Sequence, residues 1–294
     1  MKTIKYMGLD CVPLENEAIS LLVTQSVGPR VISLRFKDGP NLFAELPQLV
    51  TKHADGTPYN FYGGHRLWHS PEVLPRTYMP EDDAIDIIQT SNGLVAPRPA
   101  DPQTGIEKTI QLTIDPKKAQ VTVRHVLTNR GVWPMDCAPW AITQLRPGGV
   151  AILPQSLEQP QFLANRSLAI WPYADLTSPH LTLGSRYIQV RSKMDSPFKI
   201  GYPNPRGWQA YWLEGTLFVK KAVFNPQATY YDYGSSSECY CNASFIELET
   251  LGPIVKFEPG QSVEHTETWE LYAGIEYPEN ETVIQKIVDR LGLN

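Results

Sequence analysis

A chain of 294 residues with 42% hydrophobic and 19% charged residues has ample apolar material for a large core and is far from disordered composition. Its net charge of -5, with 26 Lys and Arg scattered among 31 Asp and Glu, argues against nucleic acid as the main partner. The length would hold two ordinary domains, but a large β-sandwich of this size is routinely one, and residues 1–294 are expected to form a single domain.

The N-terminal stretch MKTIKYMGLDCVPLENEAIS has no secretory apolar region, because Asp10, Glu15 and Glu17 interrupt it. No later window approaches a membrane span, so the default expectation is a cytoplasmic protein without a membrane partner. Four cysteines are too few and too unevenly placed for a disulfide scaffold. Cys239 and Cys241 would share a strand face about 6.5–7 Å apart, at the edge of disulfide geometry, and are expected to be free thiols.

Prolines and glycines punctuate short runs of period-2 alternation along the whole chain, the pattern of many antiparallel strands. Strands are expected at 18–24 and 30–36, with turns at Asp38-Gly39, Asp55-Gly56 and Asn92-Gly93. Ile110, Leu112 and Ile114 alternate with polar residues, Asp115-Pro116-Lys117-Lys118 turns the chain, and Val121, Val123 and Leu127 return, so 106–128 is a β-hairpin. Further strands follow at 216–224, 244–251 and 262–272. Only 280–291 has helical spacing, in Val283, Ile284, Ile287, Val288 and Leu291, with a Thr282/Gln285 capping box and Gly292 as its stop. These elements predict an all-β, large antiparallel two-sheet β-sandwich with a short C-terminal helix.

The segment most unusual in chemistry is 59–76. Gly63-Gly64 allows close backbone approach or positive φ, and His65, Arg66, Trp68, His69 and Glu72 follow at once. They offer donors, acid/base groups and a stacking ring. The competing reading is a structural turn in which Arg66 pairs with Glu72 and Trp68 joins the core. A metal site on His65 and His69 would need a helix, which Gly-Gly and Ser-Pro oppose, so none is expected.

In 244–260, Ile246 and Leu248 face one way in a strand, while Glu247 and Glu249 face the other with Phe245 and Leu251. A solvated face is the ordinary fate of such residues. The alternative is a cavity wall, where apolar neighbours raise a carboxyl's proton affinity into a useful range. The 204–212 segment adds Trp208, Tyr211 and Trp212, either stacking platforms for a sugar or sheet core. His125 and His265 sit on apolar strand faces and are expected to be satisfied core imidazoles. Lys199, Arg206 and Lys220 could face an anionic sugar, but the expectation for each is a surface position.

Taken in order, Ser26-Val27-Gly28-Pro29-Arg30-Val31-Ile32, Asn41-Leu42-Phe43, Gly63-Gly64-His65-Arg66-Leu67-Trp68, Leu127-Thr128-Asn129, Ala138-Pro139-Trp140-Ala141-Ile142-Thr143, Gly207-Trp208, Glu247 to Pro253 and Pro259-Gly260-Gln261-Ser262 resemble the galactose mutarotase-like superfamily over nearly the whole chain. The resemblance is to a little-characterised branch rather than to the true aldose 1-epimerases. It implies a galactose mutarotase-like supersandwich and a small carbohydrate as ligand. It also implies interconversion of sugar anomers with no metal or nucleotide cofactor. By the match, Glu249 is the general base; the acid that ring opening also needs is expected to be His65, with His69 in reserve. Arg66, Trp68, His69, Glu72, Glu247, Trp140 and Trp208 are the expected sugar contacts.

The chain departs from the epimerase pattern in two places. The region 135–140 lacks the second histidine, and the sugar-binding aspartate has no clear counterpart beyond Asp232. A sugar-binding protein without turnover is therefore the alternative. A polysaccharide lyase accessory domain is a third reading, opposed by the absence of a helical toroid in the sequence.

Overall fold

The computed structural model describes residues 2–293. Alternation along the chain builds two large antiparallel sheets packed face to face. The first runs in the order Ile4–Tyr6, Leu9–Glu15, Ile19–Thr24, Arg30–Phe36, His65–Ser70, Met135–Leu145, Ile246–Leu251, Ser237–Cys241, Phe198–Tyr202, Ala169–Ile170, and Val255–Phe257 pairs with the start of Met135–Leu145. The second runs Leu181–Leu183, Tyr187–Arg191, Val150–Pro154, Trp208–Leu213, Thr216–Ala222, Ser262–Tyr272, Gln120–Asn129, Ile106–Ile114, Gly93–Arg98, Ile88–Gln89. The expected 106–128 hairpin is present, pairing Ile110 with His125 and Ile114 with Val121. A separate hairpin, Glu45–Lys52 with Pro58–Gly63, stands off the first sheet. Past its first four strands the first sheet no longer follows chain order, so its centre is assembled from residues near 65, 140 and 250.

The inner faces meet in one apolar core, where Trp269 packs edge-on against Phe43 (5.7 Å) and Phe218 (6.0 Å). Cys239 and Cys241 lie in it as buried free thiols. The single long helix, Glu281–Leu291, covers the outer face of the second sheet. Ile284, Ile287 and Val288 pack there on Ile152, Trp208, Leu217 and Val219. Each such side chain contributes about 1.5–3 kcal/mol by leaving water. Its N-cap is Asn280, whose side chain accepts from the Thr282 and Val283 amides, rather than the expected Thr282. Glu281 explains the shift, because its carboxylate takes the Arg186 and Tyr187 amides and ties the first turn to a strand. Gly292 ends the helix at φ 65° as expected. Among the described residues no helix is long and apolar enough to cross a membrane.

Candidate functional site

The strand His65–Ser70 begins at the double glycine. Gly63 and Gly64 have φ of 97° and 71°, and a Cβ on them would lie 1.9 Å from the Ala44 carbonyl oxygen and 2.2 Å from that of Val31. Only glycine admits this crossing. Past it the chain is extended, so consecutive side chains leave on opposite faces. His65, Leu67 and His69 go inward between the sheets, and Arg66 and Trp68 go outward. The same rule divides Met135–Leu145, with Trp140 and Ile142 outward and Ala141 and Thr143 inward. It divides Ile246–Leu251 as the sequence pattern requires, with Glu247 and Glu249 on the outer face.

These outward residues floor a cavity of about 590 Å³. The detached hairpin supplies Leu49, Val50, Thr51 and Phe61 to its wall; Glu72 and Tyr78 close one side, and Tyr173, Tyr240, Asn242 and Phe245 the other. Aromatic rings dominate the lining. Trp68 and Trp140 meet edge to face at 5.4 Å, Trp68 lies 4.8 Å from Tyr78, and its indole N–H donates to the Tyr59 hydroxyl at 3.0 Å.

Charge is arranged in two buried groups on this floor. Arg66 Nη2 donates to Glu247 Oε1 at 3.1 Å, and its guanidinium sits 4.4 Å over the Trp68 ring. Lys199 Nζ lies 2.7 Å from Glu238 and 3.0 Å from Glu249, between the rings of Trp140 and Trp171. Trp140 Nε1 donates to the same Glu249 oxygen at 2.7 Å. Burial pushes the Glu247 carboxyl up to about 7, outweighing Arg66, and the negative charge of Glu249 adds to the rise. Burial also lifts Glu238 well above the carboxylate range against the pull of Lys199. For Lys199, burial opposes the charge, but Glu238 and Glu249 outweigh it and hold the ammonium.

Behind the floor, the inward side chains form a second polar layer. His125 Nδ1 must donate to the His265 carbonyl (3.0 Å), so its Nε2 accepts. His65 Nε2 therefore donates to His125 Nε2 (2.7 Å), and His65 Nδ1 accepts from Thr143 (2.9 Å). Lys220 Nζ reaches Glu267 at 2.9 Å and donates to Thr143 and to the carbonyls of Ala141 and Leu248. Burial pushes the His65, His125 and His265 imidazoles down, that of His265 to about 3. The ligand atoms of His65, His125 and Glu267 lie within 4.8 Å of one another. They are already bonded to each other or to Lys220, whose ammonium opposes a cation there, so this is a hydrogen-bonded set rather than a metal centre.

The expected site residues thus separate. Arg66, Trp68, Glu72, Trp140 and Glu247 line one cavity. Glu249 is fully buried beneath it, bonded to two lining residues. His65 is fully buried in the inner layer, and strand alternation rather than distance along the chain removes it from the cavity. His69 is also inward, beside Arg76, Glu81 and Lys108. Trp208 lies on the outer face of the other sheet under the C-terminal helix. Lys199 and Lys220, expected at the surface, are both buried, and Lys199 belongs to the site. Its signal was present, since alternation in Phe198-Lys199-Ile200 buries Phe198 and Ile200 and sends the lysine to the other face. The aromatic walls from Phe61, Tyr78, Tyr173 and Tyr240 were not singled out, because they come from four separate segments.

No protein-family model and no curated protein matches the chain. Solved structures do. A galactose mutarotase-like protein from Lactobacillus casei matches with a TM-score of 0.59 at 9% identity, covering 89% of this chain and 100% of that one. A provisionally assigned aldose 1-epimerase from Escherichia coli K12 matches with a TM-score of 0.56 at 12% identity, covering 90% and 100%. A TPR-domain containing protein from Parabacteroides distasonis matches with a TM-score of 0.60 at 14% identity, covering 93% of this chain and 49% of that one. The chain has the galactose mutarotase-like β-sandwich fold.

Proposed function

We propose that the cavity binds a carbohydrate and that its chemistry is the interconversion of sugar anomers, with Glu247 as the proton-transfer residue. The observation that carries this reading is an aromatic-walled, concave site with one lining carboxyl poised at about 7. Sugar rings present apolar faces that stack on Trp68 and Trp140, and hydroxyls that suit Asn242 and Glu247.

Anomerisation needs a proton removed from the anomeric hydroxyl and one delivered to the ring oxygen, both bonded to the same carbon. The two oxygens of a single protonated carboxyl span that pair. One accepts the hydroxyl proton as the other releases its own, the ring C–O bond breaks, and rotation and reclosure give the other anomer. Glu247 ends the cycle in the state in which it began. Glu249, fixed by Trp140 and Lys199, acts here through its charge, which keeps the Glu247 proton in place. This assignment moves the proton transfer from the Glu249 and His65 pair to Glu247.

Magnetisation exchange between α and β anomers, over a panel of aldoses, tests the proposal. Exchange should exceed buffer for at least one bound sugar and fall as pH rises through about 7, where Glu247 loses its proton. Glu249→Gln should shift that fall to lower pH by removing the neighbouring charge. No acceleration with any bound sugar would end the enzymatic reading.

Binding without turnover is the second reading. It is favoured by the absence of any histidine from the residues lining the cavity. A sugar that saturates the site, seen by calorimetry, with no anomer exchange would select it.

A further inference from the structure

We propose that the carbohydrate taken by this cavity carries a positive charge, as an amino sugar with a free ammonium group, and that Glu72 is the residue that selects it. The inference rests on the carbohydrate reading above and adds the charge class of the ligand.

Neither cation in the cavity wall is open to a ligand. Arg66 spends Nη2 on Glu247, and its Nε and Nη1 are shut from solvent, so an incoming anion cannot reach them. The guanidinium lies instead near the rings of Trp68 and Phe61, at 4.4 and 5.7 Å. Lys199 has two carboxyl groups within 3.0 Å, those of Glu238 and Glu249, and a side-chain exposure of 5%. Neither cation is available to a uronate or a sugar phosphate.

Glu72 is the opposite case. It lines the cavity, is exposed, and has no cationic partner among the described residues; its hydrogen bond comes from the Tyr78 hydroxyl, a neutral donor. Trp68 and Tyr78 stand beside it, and their ring faces attract a cation as well as a sugar's apolar face. An ammonium on a polyhydroxylated ring meets an unpaired carboxylate and aromatic faces, whereas a carboxylate or phosphate there meets only repulsion. Glu247 adds to this preference whenever it is ionised.

The test is calorimetric or NMR titration of the full chain at about pH 6, below the usual amine range. The ligands are hexosamines, their neutral parent aldoses, the N-acetyl derivatives and the hexuronates. The hexosamine should bind about fivefold tighter than its parent, the size of one exposed ion pair. That ratio should approach one for the N-acetyl derivative, in high salt, and in Glu72→Gln. Parent aldoses binding as well as hexosamines, uronates binding tighter, or a ratio unchanged in Glu72→Gln would each overturn this inference and leave the carbohydrate site standing. No binding of any sugar would instead remove the functional reading beneath it.

Discussion

Polar clusters lie on both faces of the first sheet, each drawing on the strands His65–Ser70, Met135–Leu145 and Ile246–Leu251; the inner one is completed by His125, His265, Glu267 and Lys220 of the second sheet. Inside, His65, Thr143, Thr250, His125, His265, Glu267 and Lys220 hydrogen-bond or ion-pair with one another, whereas His69, farther along the same face, has both ring nitrogens buried without a partner. Outside, Arg66 Nε and Nη1, Glu249 Oε1 and both polar atoms of Gln144 are buried without one. Closed networks fix a fold, since each member is held by the others and has nothing left for a ligand. The outer cluster borders a cavity, where Glu72, Asn242 and Glu247 line the wall and can meet a ligand. The inner layer is expected to serve stability and the outer layer to hold the proposed site, although histidines, the residues most suggestive of catalysis, are in the inner one.

The largest effect that could break this division is expected at Lys220. Lys220→Met leaves Glu267 buried and uncompensated, and should cost about 3–5 kcal/mol in denaturant unfolding. A loss below about 1 kcal/mol would mean that the inner layer is not structural. On the outer face, Glu247→Gln should lower anomer exchange by about 100-fold while destabilising the fold less than Lys220→Met does. Equal losses of stability in the two variants would erase the contrast.

Acid stability sharpens it further. The inner histidines have folded proton affinities below their unfolded value, so unfolding takes up protons and stability falls as pH drops below about 6.5. For His265 the loss continues to about 3. His265→Gln should reduce the slope of stability against pH by about one proton, or about 1.4 kcal/mol per pH unit, below 6. Glu247 has the opposite sign. Its folded value is raised, so its contribution is complete below about 4.5 and is lost as pH rises through about 7. Titration of stability in wild type and both variants separates the two layers. The smallest effect on binding is expected at Trp208, where Trp208→Phe leaves a void under the helix that lowers stability but should leave sugar affinity unchanged. A tenfold loss of affinity there would show that the cavity is not the binding site.

Much of this was legible from residue order. Alternation located the strands, put Glu247 and Glu249 on one face, made His125 and His265 core residues, and marked Gly63-Gly64 as a point of close approach. It also held the answer for His65, since in an extended segment a neighbour of Arg66 cannot share its face. The site reading joined them because they are adjacent in a chemically dense run.

Local pattern therefore determined the elements, the face that each side chain takes and the glycine crossing, because these depend on backbone geometry within a few residues. Only the tertiary structure decided which face is concave, that Lys199 meets Glu249 across two strand pairings, and that the hairpin at 45–63 walls the cavity. Those contacts join segments that are far apart in the chain, and what brings them together is the pairing of whole strands and the burial of the sheet between them.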